Sequence, residues 1–286
     1  MIVYLKSVIY GIIQGLTEFL PVSSSGHLAA FQNLFGKIDE NLNTTTYTLL
    51  LHVGTLAAVL LVYRKDVLEL IKSMLSVFGK LFAGKLKFST LNDGEKLFCL
   101  LFMALIPLVL GAVVEGYVEA ISNYTICVGI LWIINGLIFI FAESRKPKEI
   151  SFEEITPMKA LRVGLFQLFA ILPGISRSGM TIIGGTLHGF RRTFAVKFSF
   201  ILSIPAILGS TAITLLKDYD KLEFGNMGVI LAGVAAAFIS GLLAIKLLEY
   251  ISNKHNFKVF AYYCFIIGII AIAISLCHLA ASGTLI

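Results

Sequence analysis

The sequence predicts an all-α polytopic membrane protein with six transmembrane helices and two re-entrant helix-turn-helix elements in an inverted repeat. Three observations carry that prediction. Only 14% of the 286 residues are Asp, Glu, Lys or Arg, while 57% are hydrophobic and mean hydropathy is +0.90. A soluble domain is usually about a quarter charged. The charges cluster between long uncharged runs, and two further apolar segments are interrupted midway by Pro, Gly and Ser. These features exclude a soluble enzyme, a disordered chain and a nucleic-acid-binding domain. The net charge of +6 reads instead as loop charge that sets orientation.

The six uncharged runs are 41–63, 97–114, 120–142, 198–216, 224–245 and 259–286. A helix crossing the hydrocarbon core needs about 20 apolar residues, so each is a candidate span. The run 97–114 is short and contains Pro107. The two broken segments are 7–36 and 163–190, with one formal charge each, Glu18 and Arg177. A continuous helix would not carry Pro21-Val22-Ser23-Ser24-Ser25-Gly26 or Pro173-Gly174-Ile175-Ser176-Arg177-Ser178-Gly179 at its centre. A helix-turn-helix that enters and leaves on one side would, because irregular backbone is tolerated at membrane depth when protein or a wet cavity surrounds it.

At an offset of 153, Gln14 matches Gln167, Ser23 matches Ser176, Ser25 matches Ser178 and Gly26 matches Gly179. Three spans follow each broken segment. The chain therefore reads as a single membrane domain, 1–286, with repeat one at 1–142, a cytoplasmic linker at 143–157 and repeat two at 158–286. An odd number of spans per repeat inverts the second copy, which puts the site at mid-membrane where the broken helices meet. Basic residues crowd 64–96, 143–162 and 246–258, which the positive-inside rule assigns to the cytoplasm. The loop near Glu115 and Glu119, the 217–223 loop and both termini then lie outside. The first broken element dips in from outside, the second from the cytoplasm. The start lacks a basic n-region and a clear cleavage site, so no signal peptide is expected. Cys99, Cys127, Cys264 and Cys277 show no CxxC spacing and read as small hydrophobes.

Charges at membrane depth are costly and usually functional. Glu18 and Arg177 carry opposite signs, so a meeting of the two elements gives them one polar pocket; the bland alternative is an ion pair that only locks the repeats. Gln14 and Glu18 are four apart and share a helix face. With Ser23, Ser24, Ser25 and His27 they place a carboxylate, hydroxyls and an imidazole around one turn. Such a set can activate a nucleophile or hold a divalent cation. The second motif combines Arg177 with Ser176, Ser178 and Thr181 at a helix start. Its hydroxyls and guanidinium fork suit phosphate oxygens, although no Gly-Lys-Ser/Thr follows as in a P-loop. Serines at a membrane helix break also simply cap backbone and fill tight interfaces.

The pairing of QGLTEFLPVSSSGH with LPGISRSGMT resembles the undecaprenyl-diphosphate phosphatase family of bacteria, the type linked to bacitracin resistance. The resemblance covers essentially the whole chain, including Lys197-Phe198-Ser199-Phe200. It implies an integral membrane hydrolase that converts undecaprenyl diphosphate to the monophosphate and recycles the lipid carrier of cell-wall synthesis. It implies catalytic roles for Glu18, Ser24, His27 and Arg177. Phosphate contacts would come from Ser23, Ser25, Ser176, Arg177, Ser178 and Thr181. A divalent cation, Mg or Ca, would sit at Glu18 and Gln14, or Glu18 would act as general base. Many members carry Glu where this chain has Gln14, which reduces the carboxylates available to the metal.

Ser24 with His27 as acid or base, His27 attacking directly, and an activated water all remain open as nucleophiles. An inverted-repeat transporter or flippase of a polyprenyl phosphate lipid is the competing function. The implied setting is the bacterial plasma membrane, multi-pass; the loop charges turn the active site to the outer leaflet. The implied partners are the lipid substrate and the bilayer, not nucleic acid; a homo-oligomer is compatible with the same reading.

Overall fold

A computed structural model of the protein describes residues 1–36, 44–113, 115–145, 148–217, 226–254 and 256–285. Among these residues the regular structure is helical throughout, with no strand. The helices are α1 (Ile2–Phe19), α2 (Ser24–Phe35), α3 (Thr44–Val62), α4 (Arg64–Phe82), α5 (Asp93–Leu105), α6 (Glu115–Ser122), α7 (Thr125–Ser144), α8 (Pro157–Phe169), α9 (Arg177–Leu187), α10 (Arg192–Lys217), α11 (Met227–Lys254) and α12 (Lys258–Ser282). Among the described residues, five segments are long and apolar enough to cross a membrane: Asp93–Gly111, Thr125–Ser144, Arg192–Lys217, Met227–Lys254 and Lys258–Ser282. A sixth comes from α3 if its bent pair with α4 counts as one span. The described part of each of the six uncharged runs thus falls mainly on helix. The broken segments are the pairs α1–α2 and α8–α9.

Two expectations change. The stretch 64–96, read as a loop, begins with the 19-residue helix α4, which turns 88° away from α3. Its apolar residues Leu68, Ile71, Leu75, Phe78 and Phe82 recur every three or four positions and stay exposed. Charged residues interrupt the run, so a search for uncharged segments passes over it. A charged helix with an uncovered apolar face has the form of one lying in the membrane interface. Lys80 of α4 ties it to α5, donating to both oxygens of Glu95 at 2.6 Å. The second change is at Glu115 and Glu119, where the expected loop has helical backbone, that of α6. The expected outside loop at 217–223 lies almost wholly beyond the described residues.

Pro107 ends the regular part of the span that α5 begins; the chain continues as a 3-10 helix over Ile106–Val113. Pro205 inside α10 is tolerated without a break.

Lipid tails are as apolar as leucine, so membrane helices associate by close packing rather than by escape from water. Small residues at four-residue spacing supply that contact. Gly11 and Gly15 of α1 face Gly233, Ala237 and Gly241 of α11, and a side chain at Gly15 would collide with Ser240, the Ala237 carbonyl and the Gly241 nitrogen. Gly129 and Gly136 of α7 meet α12 in the same way, and Gly164 of α8 presses on the Ala104 carbonyl of α5. The first helix of each broken element therefore leans on the other half of the chain.

Gly15→Val is expected to lower the thermal unfolding midpoint in detergent, at the overpacking cost of about 1–3 kcal/mol. Gly79→Ala, in open space on α4, should leave the midpoint unchanged or raise it, since alanine outperforms glycine in a helix by about 1 kcal/mol.

Candidate active site

Gln14 and Glu18 occupy one face of the last turns of α1, and Gln14 Nε2 donates to Glu18 Oε2 at 3.0 Å. The chain leaves the helix at Leu20 in extended backbone and reaches Ser23, whose φ of +72° is unusual for a residue with a side chain. Several bonds hold it there. Ser23 Oγ accepts from Gly26 N at the start of α2 (3.3 Å) and from Gly174 N of the second turn (3.0 Å). Ser178 Oγ reaches back to the Leu20 carbonyl at 3.2 Å. The two turns are so close that Gly26 abuts Gly174, which itself has φ +111°.

Helix α7 fastens both turns from below. Trp132 Nε1 donates to the Val22 carbonyl at 2.9 Å. Asn135, fully buried, donates to the Pro21 carbonyl (3.4 Å) and to Cys264 Sγ of α12 (3.3 Å), and accepts from Ser176 N (3.2 Å). One amide therefore bonds to both turns.

The turns bring the two lone charges together. Arg177 Nη2 donates to Glu18 Oε1, with the side chains 19% and 6% exposed. Ser24 Oγ donates to the other oxygen, Oε2, at 2.6 Å. Within the site, Gln14 Oε1, an acceptor, and Arg177 Nη1, a donor, are buried without a hydrogen-bond partner among the described residues. Buried polar groups are nearly always bonded, so this pair of vacancies points to a ligand that offers both a cation or donor and an anionic oxygen. Among the described residues no three His, Cys, Asp or Glu side chains converge as a metal cage. A carboxylate with an amide oxygen does fit a hard cation that completes its shell with water and phosphate.

The remaining expected site residues divide. Ser25 is exposed at the mouth, 3.3 Å from Ser23 Oγ. Ser176, Ser178 and Thr181 are buried and bonded internally. Ser176 Oγ caps α9 at Gly179 N (3.1 Å), and Thr181 Oγ1 meets Ser199 Oγ at 2.6 Å. Their hydroxyls brace the turn. His27 is half-buried and turned away from Ser24: Nδ1 lies 2.7 Å from the Ser23 carbonyl and Nε2 lies 2.7 Å from the Tyr263 hydroxyl. A carbonyl only accepts, so Nδ1 carries the proton and the Tyr263 hydroxyl donates to Nε2. The ring stacks on Tyr263 and meets the edge of Trp132.

Three contributors are absent from the sequence reading. His52 of α3 brings Nε2 to 3.7 Å from Glu18 Oε2. Counting only Asp, Glu, Lys and Arg hides it, although a titratable side chain inside a span was the available signal. Asn135 and Trp132 were visible as an amide in the middle of the run 120–142 and the only tryptophan of the chain.

The fold and site define a polytopic membrane protein with an acid–arginine–hydroxyl centre built from two broken helices. Residues 7–270 match the family model described as bacitracin resistance protein BacA. The chain is 39% identical over 274 residues to the undecaprenyl-diphosphatase of Alkaliphilus metalliredigens, covering 95% of this chain and 98% of that protein. It is 39% identical over 278 residues to the undecaprenyl-diphosphatase of Methanobrevibacter smithii, covering 96% and 99%. Undecaprenyl-diphosphatase 3 of Acinetobacter baylyi is 37% identical over 275 residues. The chain belongs to the bacitracin resistance protein BacA family.

Proposed function

We propose that the protein hydrolyses undecaprenyl diphosphate to undecaprenyl phosphate and inorganic phosphate. The observation that carries this is the hydroxyl of Ser24 hydrogen-bonded to buried Glu18, beside an arginine with an unused donor. A binding or transport site has no need of an activated hydroxyl. The names of the relatives, which cover nearly the full chain, support the same substrate.

Phosphoryl transfer depends chiefly on positioning and on stabilising charge. Arg177 Nη1 takes an oxygen of the terminal phosphate, and exposed Ser25 adds a hydroxyl at the rim. Ser24 Oγ attacks the terminal phosphorus and its proton passes to Glu18 Oε2. The bond from phosphorus to the bridging oxygen breaks, and undecaprenyl phosphate leaves with its tail in lipid. Water then attacks the phosphoserine, Glu18 returns a proton to Ser24 Oγ, and inorganic phosphate is released. Glu18 replaces His27 as the proton acceptor in this sequence, because His27 is bonded to Tyr263 and the Ser23 carbonyl; His27 anchors the turn that presents Ser24. Glu18 and Gln14 would hold a divalent cation, Mg or Ca, whose chemistry is to neutralise the diphosphate. Ser176, Ser178 and Thr181 act by holding the Arg177 turn.

The site faces the outer leaflet in this reading, supported by the basic residues of 64–96, 143–162 and 246–258. Repeat one at 1–142 and repeat two at 158–286 then enter from opposite sides. Ser25→Cys in intact cells is expected to react with a membrane-impermeant thiol reagent added outside; protection there, with labelling only in inverted vesicles, overturns the orientation.

Purified protein in detergent, given undecaprenyl diphosphate and Mg, is expected to release inorganic phosphate. Arg177→Ala and Ser24→Ala should each lower the rate about 100- to 1000-fold, the usual cost of a lost transition-state contact. His27→Ala should lose less than Ser24→Ala. Full activity in Arg177→Ala contradicts the phosphate assignment.

A further inference from the structure

We propose that His52 is a nitrogen ligand of the divalent cation at Glu18 and Gln14, so that this chain's site binds Mn more tightly than Ca. The inference rests on the cation reading above and deepens it.

His52 Nδ1 lies 2.8 Å from the Thr48 carbonyl one turn back on α3. The carbonyl can only accept, so Nδ1 carries the hydrogen and the ring is fixed in orientation. Metal-binding histidines almost always have their second nitrogen engaged in this way. In the tautomer that binds a metal the lone pair is at Nε2, which lies 3.7 Å from Glu18 Oε2. That distance is too long for a hydrogen bond. The third acceptor is Gln14 Oε1, buried and without a partner, on an amide whose other end already touches the same Oε2.

Gln14 Oε1 has no donor among the described residues, and His52 Nε2 faces the carboxylate beyond hydrogen-bond range; a cation would engage both. Ligands at about 2.0–2.6 Å from one ion can stand up to about 4–5 Å apart, so 3.7 Å suits a shared ion. Arg177 is on the opposite oxygen, Oε1, and leaves Oε2 toward His52. Ser24 and Gln14 both donate to Oε2, so a cation there would displace the Gln14 Nε2 bond while the amide turns its oxygen to the ion. The donor set is then one imidazole, one carboxylate and one amide oxygen. Imidazole favours transition metals, whereas Ca takes oxygen ligands alone.

Mn titrated into the purified protein, followed by electron paramagnetic resonance, tests this without turnover. One bound Mn is expected, with a nitrogen hyperfine coupling in the electron spin echo modulation. His52→Gln should abolish the coupling and weaken Mn binding about tenfold or more, while Ca affinity moves less than about threefold. His27→Gln should keep the coupling. Labelling all histidines with 15N in the unaltered chain should change the coupling, a result that needs no variant to fold. Mn bound without nitrogen coupling, or coupling lost in His27→Gln rather than His52→Gln, overturns the assignment to His52 and leaves the cation reading standing. No bound Mn in the unaltered protein overturns both.

Discussion

A carboxylate and a guanidinium sit side by side where two broken helices meet, and each would be expensive there without the other. An uncompensated charge away from water costs several kcal/mol. The pair between Glu18 and Arg177 therefore demands that two segments 159 residues apart be held in fixed register. The surrounding bonds serve that demand. Ser23 reaches Gly174, Ser178 reaches Leu20, and Asn135 touches both turns at once. The unusual φ of Ser23 persists because its hydroxyl is bonded to both turns.

Rigidity around the pair comes from the bundle. Small residues let α1 press on α11, α8 on α5 and α7 on α12, so the helices that lead into the turns, and the one that fastens them, are in close backbone contact. The pair itself is not fully satisfied. Arg177 keeps a free donor and Gln14 a free acceptor, and in a buried site such vacancies cost stability until a ligand fills them. A diphosphate head group with a cation offers both complements, while its tail needs only lipid. The same centre thus explains how an amphipathic substrate could be handled by a protein with so few charges.

The hydrocarbon core imposes a length and a composition, which is why six uncharged runs and two broken ones were legible as helices and turns. It imposes nothing on a helix lying at its surface. Leu68, Ile71, Leu75 and Phe78 alternate with charges, so α4 looked like a loop. Within the site, Glu18, Gln14, Ser24 and Arg177 were legible because charge and spacing are written in the chain. Direction is not. Ser176, Ser178 and Thr181 have the residue types of a phosphate cradle but turn inward to brace α9. His27 lies three residues from Ser24, yet its ring stacks on Tyr263, 236 residues away. His52 enters from α3 through tertiary packing, which no local pattern records.

The central claim is that Glu18 and Arg177 act as one unit in the reaction, and a double-mutant cycle on kcat/KM tests it most directly. Residues that act as a unit are strongly non-additive. With Glu18→Gln, Arg177→Gln and the double variant assayed for phosphate release, the double variant should be within about tenfold of the worse single variant. Losses that multiply across the two positions, as they do for independent sites, would contradict it.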